Sequence, residues 1–91
     1  PSGVTIRLSE DGSKVTILSP QGAGATYVRN EIMNQPIGEA DSLVMVEDYW
    51  PDFAMRDGRP ASLSDSPNNP AALVRISRIE DGEKAFEVAS A

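Results

Sequence analysis

The side chains in this sequence that could do chemistry carry oxygen or aromatic rings, because the 91 residues include neither histidine nor cysteine. Without imidazole there is no Ser-His-Asp or Cys-His pair, no proton shuttle titrating near neutrality and no axial histidine for haem. Without thiols there is no disulfide, thiolate nucleophile or zinc-thiolate site, although the lack of cystines does not fix a compartment. Glu47, Asp48, Asp52, Asp57 and Asn68 could supply the hard oxygen ligands of a calcium ion, which takes six to eight of them. Their spacing matches no ion-binding loop, and solvated turn acids that hold an N–H or keep an edge strand from pairing explain them better. Paired carboxylates can also hydrolyse glycosides, but only at a set separation with one of them protonated. The acids here single out no such pair. No catalytic residue, metal ligand or cofactor is therefore assigned, and the chain is expected not to be an enzyme.

The strongest binding candidate is the run Asp48-Tyr49-Trp50-Pro51-Asp52-Phe53, followed by Ser66-Pro67-Asn68-Asn69-Pro70-Ala71. It gathers the one Trp, one of two Tyr and one of two Phe. Aromatic faces offer large area with little entropy to lose, so Tyr49, Trp50 and Phe53 could stack on a sugar ring, a peptide or a proline-rich segment. Strand alternation sends Tyr49 and Trp50 to opposite faces, so one of the two belongs to the core. Pro51, Pro60, Pro67 and Pro70 read as loop stiffeners. Arg56, Arg59, Arg75 and Arg78 are available to pair with nearby acids, at small gain if exposed. The candidate binding residues are Tyr49, Trp50, Pro51, Asp52, Phe53, Asn68, Asn69 and Pro70.

Short strands must position these residues. Val4, Ile6 and Leu8 alternate with polar residues, Asp11-Gly12 supplies a turn that tolerates positive φ, and residues 15–18 return, which predicts a hairpin over 4–18. Residues 20–24 read as loop. Residues 26–33 read as a third strand on the shape of Thr26-Tyr27-Val28, although Tyr27, Val28, Ile32 and Met33 also fit one amphipathic helical turn. Pro36 and Gly38 end that segment. Residues 42–49 offer apolar groups to both faces, as a central strand does, and Glu47 and Asp48 mark where it meets solvent. Pro51 interrupts the ladder, residues 53–55 form a short edge strand closed by Asp57-Gly58, and residues 59–63 pair back. Residues 64–70 are loop. Ala72, Val74 and Ile76 alternate as another strand, and Asp81-Gly82 turns it into a second hairpin with residues 85–88. Recurrent turns between short strands predict a mainly β fold, a small antiparallel β-sandwich or open barrel of about six to seven strands.

Length and composition agree with one folded domain over residues 1–91, with 40% hydrophobic residues, 24% charged and 5% aromatic. The core must be aliphatic, and for this size its net stability is on the order of 5 kcal/mol. Eight basic and fourteen acidic residues give a formal charge of −6. That field repels phosphate backbones and anionic lipid surfaces, so nucleic acid is not an expected partner. The longest apolar run, residues 43–46, falls far short of the roughly 20 residues that cross a bilayer. The start at Pro1, with no initiator Met and no charged-then-apolar leader, suggests a piece of a longer chain.

In Val46-Glu47-Asp48-Tyr49-Trp50-Pro51-Asp52-Phe53, then Asp57-Gly58-Arg59-Pro60-Ala61-Ser62, Asn68-Asn69-Pro70-Ala71 and Leu73-Val74-Arg75-Ile76, the chain resembles the ResB-type cytochrome c biogenesis proteins. Those share an aromatic, Pro-Asp strand end followed by an Asn-Pro-Ala strand start. The likeness spans about a third of the chain, residues 46–76, and residues 1–40 add only a β-rich, Gly-turn character. The resemblance implies an extracytoplasmic, periplasmic β domain of a membrane-anchored protein that, with a companion, delivers reduced haem to apocytochrome c. On that reading, the membrane is reached only through the parent chain and the partners are proteins of a cytochrome c assembly system. Haem ligation in that family is attributed to histidines, so no ligand role carries onto this chain, and the lack of Cys bars a thiol-reducing role. What remains is a scaffold or docking surface, with Tyr49, Trp50, Pro51, Asp52, Asn69 and Pro70 at matched positions. The alternative is a secreted module that binds carbohydrate or peptide through its aromatic cluster.

Overall fold

The computed structural model describes residues 3–78 and 84–90. Its first layer follows from alternation. Strands β1 (Thr5–Leu8) and β2 (Lys14–Leu18) pair antiparallel with Ile6 opposite Ile17 and Leu8 opposite Val15, so one face of the hairpin is wholly aliphatic. Val4, Ile6, Leu8, Val15 and Ile17 are all buried. Strand β3 (Gly24–Val28) adds on the far side of β2, giving the order β1-β2-β3. It opens on a glycine because a Cβ at Gly24 would collide with the carbonyl oxygen of Ile17.

The strand expected over residues 26–33 stops at Val28, and Arg29–Ile32 form a single helical turn, α1. The strand reading therefore holds for residues 26–28 and fails over 29–33, where one helical turn takes its place. The ladder runs as far as Arg29, whose N–H donates to the Ser13 carbonyl at 2.9 Å. Beyond it the chain curls so that Ile32 and Met33 pack onto the core. After Pro36, strand β4 (Ile37–Glu39) pairs with the start of β5 (Ser42–Trp50). Gly38 lies inside β4, so the two residues expected to end the preceding segment flank or occupy a new edge strand.

Strand β5 is central, as its two-sided apolarity predicts: the second sheet runs β4-β5-β8-β9, with β8 (Ala71–Arg78) and β9 (Lys84–Ser90). The expected hairpin of β8 and β9 is present as an antiparallel pair, and its Asp81-Gly82 turn lies outside the described residues. Val44, Val46, Ala72, Val74 and Ala89 from this sheet meet the aliphatic face of the first in one core, and strands β1 and β9 touch where the layers approach. Fully burying each Val or Ile contributes roughly 1.5–3 kcal/mol, and this is what holds the layers together. The remaining strands, β6 (Phe53–Arg56) and β7 (Arg59–Ser62), form a separate two-stranded hairpin. Both residues of its Asp57-Gly58 turn have positive φ, at 51° and 77°. That is the two-residue turn whose twist suits a hairpin. The fold is mainly β, a small antiparallel sandwich with open sheets, and its nine strands among the described residues exceed the expected six to seven, the short edge strand β4 being one that was not foreseen.

Candidate functional site

A one-residue irregularity decides which way the aromatic run faces. On β5, Val46 lies opposite Val74 and Asp48 opposite Leu73, so Glu47 is an extra residue with no partner position on β8. Such a bulge reverses the in-out alternation downstream of it. Upstream, Ser42, Val44 and Val46 are buried on the core side. Downstream, Tyr49 packs against the core while Asp48 is exposed. Were Glu47 to take a regular ladder position instead, Asp48 and Trp50 would continue the inward set. The bulge is held from both sides: Glu47 Oε2 lies 3.0 Å from Arg75 Nε on β8, and the Val46 carbonyl accepts the Asn34 N–H at 2.8 Å.

Tyr49 is thereby built into the frame. The Arg29 guanidinium sits over its ring, 3.6 Å from the centroid, and Arg29 Nε donates to the Gly12 carbonyl at 2.8 Å. Gly12 has φ +73°, and a Cβ there would strike the Tyr49 hydroxyl. The Asp11-Gly12 turn, the start of α1 and the end of β5 are thus locked together. Asp11 Oδ1 accepts the Ser13 N–H and the Ser13 and Ser9 hydroxyls. The Ser13 hydroxyl, then its N–H, then the Ser9 hydroxyl hold the Asp11 carboxyl down at about 2 from its ordinary 3.8.

Trp50 faces the other way. It meets Phe53 edge to face, with ring centroids 5.5 Å apart and planes at 60°, and both rings are half-buried. Ala71, opposite Trp50 on β8, is buried without belonging to the main core. Along β6, Met55 falls on the same face as Phe53, and its partner position on β7 is Pro60. Met55 is 59% exposed. An apolar strip therefore runs from Trp50 through Phe53 to Met55 and Pro60.

The loop over residues 64–70 is fastened beside this strip by Asp52 and Asn69. Asp52 Oδ2 accepts the Ser64 hydroxyl at 2.8 Å and the Asn68 side-chain amide at 3.3 Å, and the Asp52 N–H donates to the Ser62 hydroxyl at 3.0 Å. Asn69 donates its side-chain amide to the Phe53 carbonyl at 3.0 Å and its N–H to the Pro51 carbonyl at 3.2 Å, while its own carbonyl accepts the Phe53 N–H at 2.9 Å. Asp52 and Asn69 form an isolated parallel bridge, and Pro70 is buried.

The eight candidate residues thus gather in one region but divide in use. Asp52, Asn68, Asn69 and Pro70 shape the loop, Tyr49 braces the core, and Trp50, Pro51 and Phe53 are half-exposed. Of the oxygen ligands weighed for calcium, Asp52 and Asn68 are adjacent, whereas Glu47 pairs with Arg75, Asp48 accepts the Tyr49 N–H, and Asp57 sits in its turn. No metal-holding cluster of acids occurs among the described residues. Arg29, Gly12 and Met55 were not singled out from the sequence. Gly12 had a local signal in its turn dipeptide, while Arg29 had none.

The class these features define is a small antiparallel β-sandwich with a projecting hairpin and one aromatic strip at its base. No protein-family model, curated protein or solved structure matches the chain.

Proposed function

We propose that this chain is a non-enzymatic docking module that holds a polypeptide partner against Trp50, Phe53, Met55 and Pro60, with the 64–70 loop as a rigid rim. The observation that carries the reading is the bulge at Glu47, which keeps Trp50 off the core and pairs it with Phe53 on the outer side. A half-buried ring pair continued by exposed Met and Pro is the composition of a protein-binding anchor rather than of a solvated surface. A carbohydrate site favours a broad flat platform, and two rings inclined at 60° do not share a plane. The acidic balance favours a neutral or basic polypeptide. The resemblance over residues 46–76 supplies the setting: an extracytoplasmic domain of a ResB-like parent, with apocytochrome c or the companion membrane protein as partner.

Titration of the domain with apocytochrome c and with the companion protein, read by isothermal titration calorimetry, tests this. Saturable binding that is lost in a Trp50→Ala, Asn69→Ala double variant of unchanged fold is expected. No binding, with cytochrome c maturation intact when the parent protein carries both substitutions, overturns it. A hit on a glycan array instead would transfer the strip to the carbohydrate reading.

A further inference from the structure

Hydrogen-bond parity fixes what the outer edge of β3 offers. One step beyond each end of the β2–β3 register, the Arg29 N–H donates to the Ser13 carbonyl at 2.9 Å and the Ser19 N–H to the Ala23 carbonyl at 2.6 Å. Hydrogen-bonded and non-hydrogen-bonded pairs alternate along an antiparallel ladder. Val15/Tyr27 and Ile17/Ala25 are therefore the bonded pairs, and Lys14/Val28, Thr16/Thr26 and Leu18/Gly24 are the others. The N–H and C=O groups of Gly24, Thr26 and Val28 consequently point away from β2. No other described strand pairs with that side.

Edges are ordinarily blunted by charge, proline, bulges or shortness. Strand β4 is only three residues and carries Glu39, β1 touches β9, and β7 carries Arg59 and Pro60. Gly24-Ala25-Thr26-Tyr27-Val28 has none of these devices, and every residue but Tyr27 is exposed. Its sequence is also matched to itself. In an antiparallel pairing about Thr26, Gly24 lies opposite Val28, Ala25 opposite Tyr27 and Thr26 opposite Thr26, so each small residue meets a large one. The same register places all the outward groups of both strands in hydrogen-bonded pairs. Val28, 43% exposed, would lie across Gly24 of the other copy from that copy's Leu18. The Thr16–Thr26 hydroxyl contact at 2.9 Å would extend into a row of four threonines.

We propose that the β3 edge pairs with the same edge of a second copy of this chain, antiparallel about Thr26, joining two three-stranded sheets into one of six strands. The proposal is independent of the aromatic strip, which lies on other strands. Two five-residue strands bury less than the roughly 1,200 Å² of a standard stable interface, so the dimer is weak and concentration-dependent. Each copy carries −6, so added salt strengthens it by screening.

Sedimentation equilibrium over a concentration series tests the pairing, together with single-cysteine variants made clean by the absence of native cysteine. The wild-type mass is expected to climb from monomer toward dimer, at lower concentration in higher salt. Thr26→Lys, which sets two ammonium groups opposite each other at an exposed position, is expected to stay monomeric with an unchanged circular dichroism spectrum. Opposed Thr26 Cα atoms would be about 5.5 Å apart, within disulfide range. Thr26→Cys is thus expected to oxidise to a cross-linked dimer about tenfold or more faster than Thr5→Cys on β1. A wild-type chain still monomeric at about 1 mM overturns the proposal. So does a dimer that tolerates Thr26→Lys, or equal cross-linking of the two cysteine variants.

Discussion

Tyr49 and Trp50 are neighbours in the chain and lie on opposite faces of the same strand. Tyr49 is pinned between the Arg29 guanidinium and the Gly12 turn, whereas Trp50 meets the inclined ring of Phe53 at the foot of the β6–β7 hairpin. The difference comes from neither ring's chemistry. It comes from Glu47, whose insertion into β5 exchanges the inward and outward sets after Val46. One residue of register thus assigns one aromatic to the frame and leaves the other at the surface.

Giving Glu47 a partner, by inserting one residue between Leu73 and Val74 of β8, attacks that comparison most strongly. Unbroken alternation would then carry Asp48 and Trp50 inward and Tyr49 outward, burying a carboxylate, so the insertion is expected to cost more than about 4 kcal/mol or to abolish folding in urea titration. Next come the two rings themselves. Tyr49→Ala should lose about 2–4 kcal/mol, through lost packing and an uncovered Arg29, while Trp50→Ala should lose about 1 kcal/mol. Equal losses would mean that both rings are structural. Gly12→Ala should cost about 1–3 kcal/mol, because the backbone there has φ +73° and the new methyl displaces the Tyr49 hydroxyl. Gly58→Ala is the control: its φ is +77° but its Cβ would meet open space, so only the backbone part of that cost should appear.

The smallest effect is a pH dependence. The folded-state pKa of Asp11 is depressed to about 2 from 3.8, so its contribution is complete above 3.8 and is lost as pH falls from 3.8 through 2. Thermal melts over that range should show wild type losing more stability than Asp11→Asn. Parallel curves would remove the carboxylate from the account.

Much of the frame was legible in the sequence because its signals are local. Val4, Ile6 and Leu8 against Val15 and Ile17 gave the first hairpin by alternation, and Asp57-Gly58 between two short runs gave the β6–β7 hairpin by turn chemistry. The site was legible only as a cluster. A bulge is an accommodation between two strands, so nothing around Glu47 announces it, and alternation could state that Tyr49 and Trp50 part company but not which goes inside. Arg29 was hidden for the same reason, since its partners Gly12 and Tyr49 are distant in sequence. Strand β4 was obscured because Pro36 and Gly38 read as terminators, whereas an edge strand of three residues tolerates both.

The register claim is tested most directly by acrylamide quenching of the single tryptophan, whose fluorescence reports Trp50 alone. The bulged register predicts substantial quenching in the native protein, raised only moderately by full unfolding in urea. A native tryptophan that acrylamide cannot reach, and that becomes accessible only on unfolding, would place Trp50 in the core and contradict the assignment of the two rings.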